Sequence, residues 1–234
     1  VRFTTVAVNT ALAAAFGVTS AMFYCMSSKR FAHKPDPGMM VNGMLAGLVA
    51  ITAPCAFVQP WAAAVIGLIA APIIIESCQF FERRGIDDPV GAISVHGVGG
   101  IMGVLFVGIF SSGDYGAGWN LTAKGAAAEA SGVTGILYDF ELGIRQLGAQ
   151  AIGALVIITV MFGFAYGFFK LQNAIMKGGI RPTEETEVAG LDIEEMGVLA
   201  YDNLVLNELD VVGIDGVPQV VASGGPSPDP TIGR

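Results

Sequence analysis

The sequence has little charge: 14% of its 234 residues are Asp, Glu, Lys or Arg, against roughly 25% in ordinary soluble domains. Cysteine is also scarce. Cys25, Cys55 and Cys78 are odd in number and scattered in or beside apolar sequence, which argues against a disulfide framework and gives no spacing typical of a metal site. With 53% hydrophobic residues, the composition is that of a membrane protein.

Long apolar segments are abundant instead, and five of them approach or exceed the roughly 20 residues that a spanning helix needs. These segments are residues 3–26, 39–57, 61–81, 89–110 and 142–169. We therefore predict an all-α polytopic membrane helix bundle over residues 1–181. The chain begins with Val1, beside the first apolar segment and without the basic leader of a signal peptide. We interpret it as a fragment of a longer protein.

Charge separates a tail from the bundle. Residues 1–181 hold eleven Lys or Arg and nine Asp or Glu, a net +2, whereas residues 182–234 hold one Arg and eleven acidic residues, a net −10. The tail is therefore predicted to be soluble and acidic, and its Gly-, Ser- and Pro-rich end to be disordered. No basic patch of the kind that binds nucleic acid is present.

Basic residues predict the orientation of the bundle. They follow the first, third and fifth segments, whereas the loop from residue 111 to residue 141 contains only one, Lys124. Cytoplasmic loops are enriched in Lys and Arg, so we expect the tail in the cytoplasm, that loop outside, and a multi-pass protein of the cell membrane. The inner bases are Lys29, Arg30, Lys34, Arg83, Arg84, Lys170, Lys177 and Arg181.

A polar motif opens the fourth segment. Asp88 followed by Pro89 is typical of a helix start, because an N-cap aspartate accepts a backbone N–H and a proline at the first position sacrifices no hydrogen bond. His96 lies roughly 10 Å further along the helix, within the hydrocarbon zone. The residues that share its face in an α-helix are Ala92, Gly99, Gly100, Gly103 and Val107. Most of them are small, so another helix can pack closely there.

Two interpretations of His96 remain open at this point. A histidine can bond a neighbouring carbonyl and brace two helices. In a membrane span, however, a polar ring is costly and usually marks a pathway or a relay, which favours a functional role. Glu76, near the inner end of the third segment, has the simpler interpretation of a side chain that reaches Arg83 or water. The pair Gly43 and Gly47 favours helix packing.

Three stretches resemble successive signatures of the ammonium transporter family (Amt/Mep/Rh), in that family's order. They are GMLAGLVAITAPCAFVQPWAAAVIGLIA, GIDDPVGAISVHGVGGIMGVLFVGIF and GLDIEEMGVLAY. The resemblance covers about residues 2–204. It implies the last five of eleven spans, seven to eleven, a fold with inverted repeats, and a homotrimer with one pore per subunit.

The resemblance also implies roles for particular residues. His96 matches the second histidine of the family's pore pair, and Asp88 matches the structural aspartate before that helix. The first histidine lies in the half of the family's sequence that this chain lacks. In the tail, Asp192, Gly197 and Tyr201 match residues of the family's regulatory motif, which implies contacts with the bundle and a PII-type cytoplasmic regulator.

Some positions depart from the family pattern. Gly91 stands where an acidic residue is often found, and Met196 and Val198 stand where the tail motif usually has histidine and glutamate. The sequence therefore predicts ammonium or ammonia transport without a cofactor or a metal. A sensor that signals through the tail is the alternative. An intramembrane enzyme lacks a nucleophile or a metal set.

Overall fold

The fold consists mainly of apolar helices. The structure is a computed structural model, and it describes residues 2–88, 90–116, 132–192, 197, 209–214 and 217–222. The helices are α1 (Arg2–Ser27), α2 (Pro37–Thr52), α3 (Pro60–Arg83), α4 (Gly99–Phe110), α5 (Phe140–Ile175) and α6 (Glu184–Ala189), with a 3₁₀ turn at Lys29–Phe31 and a π-helical turn at Ile93–Val98. The prediction of an all-α membrane bundle is confirmed.

Four stretches of helix are long and apolar enough to cross a membrane: α1, α3, α5 and the π-helical turn together with α4. The remaining apolar helix, α2, has 16 residues and is about 24 Å long at 1.5 Å per residue. The sequence predicts a span as far as residue 57, but α2 ends at Thr52. Pro54 has no N–H to continue the helical hydrogen bonds, and residues 53–57 form turns.

Small residues bring α1, α2 and α3 into close contact. A Cβ added to Gly47 would overlap the carbonyl of Ala13, and one added to Gly17 would overlap the carbonyl of Gly43. Gly67, on α3, also faces Ala13. In a membrane, helices associate through such close packing, because lipid tails are as apolar as the side chains. Gly43 and Gly47 therefore pack helices together, as their spacing predicts.

A buried asparagine fastens the turn between α2 and α3 to α1. The Asn9 Nδ2 group donates to the carbonyls of Cys55 and Val58, each at 2.8 Å, and Asn9 has no exposed surface. Val58 is paired with Ser111, at the end of α4, through an antiparallel bridge. One side chain therefore connects α1 to the ends of α2, α3 and α4.

A second polar cluster joins α1 to the far end of α3. Glu76 accepts a hydrogen bond from the Tyr24 hydroxyl and forms an ion pair with the Arg30 guanidinium at 2.9 Å. The sequence predicts Arg83 or water as the neighbour of Glu76; its carboxylate is partly exposed, and it also pairs with Arg30. The groups of the pair are 35% and 47% exposed, so the pair contributes at most about 1 kcal/mol.

The chain divides into two compact units, residues 1–162 and residues 163–234, with the division inside α5. In the second unit, Thr183 caps α6 by accepting from the Thr186 N–H at 3.3 Å. Two strands, β1 (Leu209–Ile214) and β2 (Val217–Ala222), form an antiparallel hairpin. Strand β2 lies within the end of the tail for which the composition predicts disorder.

Candidate pore site around His96

His96 lies on a π-helical turn rather than on a regular α-helix. The Gly99 N–H donates to the carbonyl of Ser94, five residues earlier, which is the hydrogen bond that defines a π-turn. The sequence predicts that the helix begins at Pro89, which lies outside the described residues. Gly91 has a φ of +68°, which is not helical, and the regular structure starts at Ala92, directly before the π-helical turn.

Asp88 supports the beginning of the π-helical turn. Its carboxylate accepts hydrogen bonds from the N–H of Ile93 at 2.9 Å and from the N–H of Ser94 at 3.2 Å. Asp88 is 7% exposed. A carboxylate at this place satisfies amides that have no partner within the helix and is stabilised by their partial positive charge. Asp88 thus caps the helix as predicted, but the amides that it caps belong to Ile93 and Ser94, several residues after the predicted start.

Helix α3 supports the same turn from the side. The Ser77 hydroxyl donates to the Ser94 hydroxyl at 3.0 Å. Ser94 is fully buried, and Val95 beside it is 1% exposed. Ser94 is therefore held twice, through its backbone N–H by Asp88 and through its side chain by Ser77.

The glycines after His96 divide between two sides of the helix. A Cβ on Gly103 would lie 2.9 Å from the carbonyl oxygen of Ala50, and one on Gly99 would lie 3.4 Å from Val49. These two glycines therefore pack against α2. Gly100 differs, because no described residue lies within 4 Å of its added Cβ, so the packing role predicted for it is not provided by the described part of the chain.

The imidazole of His96 lies on the open side of the helix. His96 and Gly97 are exposed, and a Cβ on Gly97 also meets no described residue. Among the described residues, His96 has no hydrogen-bond partner. We refer to His96, Gly97 and Gly100 as the open face. Within the described part of the chain, a histidine on this face therefore does not brace two helices.

The π-helical turn explains why His96 leaves the face predicted for it. In an uninterrupted α-helix, positions 96, 99 and 103 share one face. A turn closed five residues along advances by less angle per residue, so it rotates the residues before it relative to those after it. Gly99 and Gly103 are buried against α2 whereas His96 is exposed. The imidazole therefore lies on the exposed side of the helix and not against α2 with Gly99 and Gly103.

Residues 1–201 match the sequence profile of the Ammonium Transporter Family. This chain belongs to the ammonium transporter family. The resemblance drawn from the three signatures is thereby confirmed.

Individual members of the ammonium transporter family are also similar to this chain. Ammonium transporter Amt2 of Archaeoglobus fulgidus is 43% identical over 211 residues, which cover 90% of this chain and 42% of that protein. A putative ammonium transporter of Synechocystis is 34% identical over 192 residues, covering 82% of this chain and 36% of its own length. The chain therefore spans less than half the length of these relatives.

Solved structures of the family share the fold. A sensor Amt protein superposes with a TM-score of 0.67 at 34% identity, over 83% of this chain and 42% of that protein. Mep2 of Candida albicans gives a TM-score of 0.65 at 25% identity, over 79% of this chain and 37% of its own. In both comparisons this chain aligns with less than half of the solved protein.

One departure from the family pattern has a structural explanation. Gly91 is buried, and a Cβ at this position would lie 3.3 Å from both the Asn42 amide nitrogen and the Cys78 sulfur. Its positive φ also disfavours any other residue. The position that is often acidic in the family is therefore closed by neighbouring side chains here.

The remaining predicted residues lie in the tail. Asp192 and Gly197 are exposed, and Gly197 has a φ of +72°, whereas Tyr201 lies outside the described residues. Their regulatory contacts stay a prediction. Among the described residues, no group of three His, Cys, Asp or Glu side chains is placed to hold a metal ion.

No motif in the sequence pointed to Ser77, Ser94 or Asn9. Each is a polar residue within a largely apolar segment, and that is the signal that could have identified them. Polar groups in hydrocarbon must find partners within the protein. Ser77 and Ser94 find each other, and Asn9 finds two carbonyls.

Proposed function

We propose that this chain forms part of a subunit that carries ammonium or ammonia across the cell membrane through a narrow apolar pore. The observation that carries the proposal is the position of His96, an imidazole without a described partner on the open face of an apolar helix. Placing a polar ring at such a depth is costly, and such residues mark transport pathways and proton relays.

The chemistry of the open face suits a small neutral solute. The other residues of the open face are Gly97 and Gly100, and neither has a side-chain oxygen that could coordinate a desolvated cation such as potassium, so the cation meets a high barrier. A neutral imidazole offers a hydrogen-bond acceptor or donor and a route for a proton. Ammonium that loses its proton at the entrance can cross as ammonia, with His96 and a second histidine outside this chain lining the path.

An ammonium sensor is the second candidate. It is favoured by the similarity to a sensor Amt protein, at 34% identity and a TM-score of 0.67. The departures at Met196 and Val198, which lie outside the described residues, also concern the tail through which a sensor would signal. In both candidates the subunit assembles as a homotrimer, and a PII-type cytoplasmic protein is the proposed regulator.

Uptake of labelled methylammonium separates the two candidates. The full-length protein that contains this chain is reconstituted in liposomes, and uptake is compared with that of protein-free liposomes. We expect saturable uptake that ammonium inhibits. Binding of ammonium without uptake would support the sensor and contradict the transporter.

The proposed orientation gives a further prediction. Single cysteines replace Lys34, Arg84, Lys177 or Lys124 in a background without native cysteines, and intact cells are treated with a membrane-impermeant thiol reagent. Lys124 lies outside the described residues. We expect labelling at position 124 and none at the other three, because the inner loops carry the basic residues. Permeabilised cells, in which all four positions should react, are the control, and external labelling at position 34 would contradict the orientation.

A further inference from the structure

The π-helical turn places His96 on the open face only while the turn keeps its register. π-Turns are rare, occur as single turns inside α-helices, and are frequent at functional sites. In this chain the turn is closed by the hydrogen bond from the Gly99 N–H to the Ser94 carbonyl. If the segment returned to an α-helical register, His96 would rotate toward the face of Gly99 and Gly103.

That alternative face is the side of the helix that packs against α2. Gly103 lies so close to α2 that even a Cβ on it would be 2.9 Å from the Ala50 carbonyl oxygen and 3.2 Å from that of Val49. Gly99 contacts Val49 and Ile74. In the π-helical register the imidazole lies on the exposed side of the helix instead, and the contacts that hold this register control where the ring lies.

Ser94 is the residue through which the surrounding structure holds the turn. It supplies the carbonyl of the π-type hydrogen bond, its N–H is bound by Asp88, and its hydroxyl accepts from Ser77 of α3. Asp88 holds the segment at its beginning and would cap a regular helix equally well. The contact with Ser77 comes from a different helix, as does a side-chain hydrogen bond between Cys78 and Ser94, so these contacts fix the rotation of the turn relative to α3.

We propose that Ser77 is a positioning residue: its hydrogen bond to Ser94, within the π-helical turn, holds His96 on the open face. Ser77 does not touch the solute. It acts through Ser94 on the orientation of the imidazole. The consequence for transport depends on the proposed function, whereas the consequence for the position of residue 96 does not.

Transport is the first measurement, on the full-length protein in liposomes. Ser77→Ala removes the hydroxyl, and Ser77→Thr retains it. Ser20→Ala is a matched control, because the Ser20 hydroxyl also bonds α3, through the Leu68 carbonyl at 2.8 Å, away from the turn. We expect Ser77→Ala to reduce ammonium flux by up to about tenfold, the effect of one neutral hydrogen bond. Ser77→Thr and Ser20→Ala should stay within about twofold of the parent.

The second measurement reports the position of residue 96 without requiring transport. His96→Cys is combined with each variant, and the rate of modification by methyl methanethiosulfonate is measured. Protein that retains His96 gives the background from the native thiols. We expect slower modification with Ser77→Ala than with Ser77→Thr or Ser20→Ala, because the cysteine turns toward α2.

The outcomes separate the two proposals. Equal modification rates with Ser77→Ala and Ser20→Ala would overturn the role of Ser77, whether or not ammonium is transported. Absence of ammonium flux in the parent protein would overturn the proposed function and leave the labelling result to decide the role of Ser77. If Ser77→Ala fails to assemble, Ser94→Ala removes the same hydrogen bond from the other side, and the same comparison of rates applies.

Discussion

Replacement of His96 by alanine in the full-length protein is expected to reduce ammonium flux by at least about tenfold, equivalent to about 1.4 kcal/mol in the barrier. The imidazole is the polar group of an otherwise apolar open face, so its removal takes away both the hydrogen-bonding site and the proton route. Assembly should remain intact, because the imidazole has no partner among the described residues. Flux into liposomes and size-exclusion chromatography measure the two effects.

Replacement by glutamate should change selectivity rather than remove transport. A carboxylate on the open face offers a desolvated cation a negative charge, so we expect a potassium current that the native protein does not carry. His33→Ala is the matched control, because His33 lies in the exposed loop after α1 and its imidazole bonds only the Met26 carbonyl among described partners. Native flux and selectivity in both His96 variants would leave His96 a structural residue.

Replacement of Gly47 by alanine is expected to prevent the bundle from folding stably. The new methyl group would overlap the carbonyl of Ala13. Since the methyl group is attached directly to the backbone of α2 and the carbonyl belongs to the backbone of α1, neither can move without moving its helix. Overpacking typically costs about 1–3 kcal/mol, and a clash between two backbones should reach the upper end. The fraction of folded protein and its midpoint of thermal unfolding in detergent measure the loss.

The control for this substitution is Gly153→Ala. Gly153 lies within α5, a Cβ there meets no described residue within 4 Å, and alanine favours the helix by about 1 kcal/mol over glycine. Gly153→Ala should therefore keep the native unfolding midpoint or raise it. If Gly47→Ala unfolds at the same temperature as Gly153→Ala, the close contact between α1 and α2 is not what stabilises the bundle.

The apolar helices could be predicted from the sequence because their signals are local. Runs of apolar residues and loops rich in Lys and Arg need no knowledge of the partner helix. The small residues Gly43 and Gly47 likewise predict a close contact between helices, although their spacing does not predict that Gly47 faces Ala13.

The rotation of His96 could not be predicted, because its causes are distant in sequence. The face assigned to His96 assumed an unbroken α-helix from Pro89. The structure starts the helix later, because Gly91 takes a positive φ, and then inserts a π-turn that Ser77 supports from another helix. A helical wheel assumes a regular α-helix throughout, so it predicts neither the later start nor the π-turn.

The partner of Glu76 shows the same limit. The neighbours expected from sequence are Arg83, seven residues away, or water, and the sequence contains no sign of the further ion pair with Arg30, forty-six residues away. Arg30 reaches Glu76 because α1 and α3 contact along their lengths, a property of the packing between helices and not of either helix alone.

The two hydrogen bonds that Asn9 donates to the turn between α2 and α3 have a consequence for how the chain enters the bilayer. Helix α2 is too short to be released into lipid alone, and the turn after it exposes the carbonyls of Cys55 and Val58, which would cost several kcal/mol each in hydrocarbon. Asn9 satisfies both. Since α1 is synthesised first, its amide is already in place when the turn arrives. The turn between α2 and α3 therefore has partners for both carbonyls once it is docked on α1, and the order of biosynthesis matches the order in which the polar groups need partners.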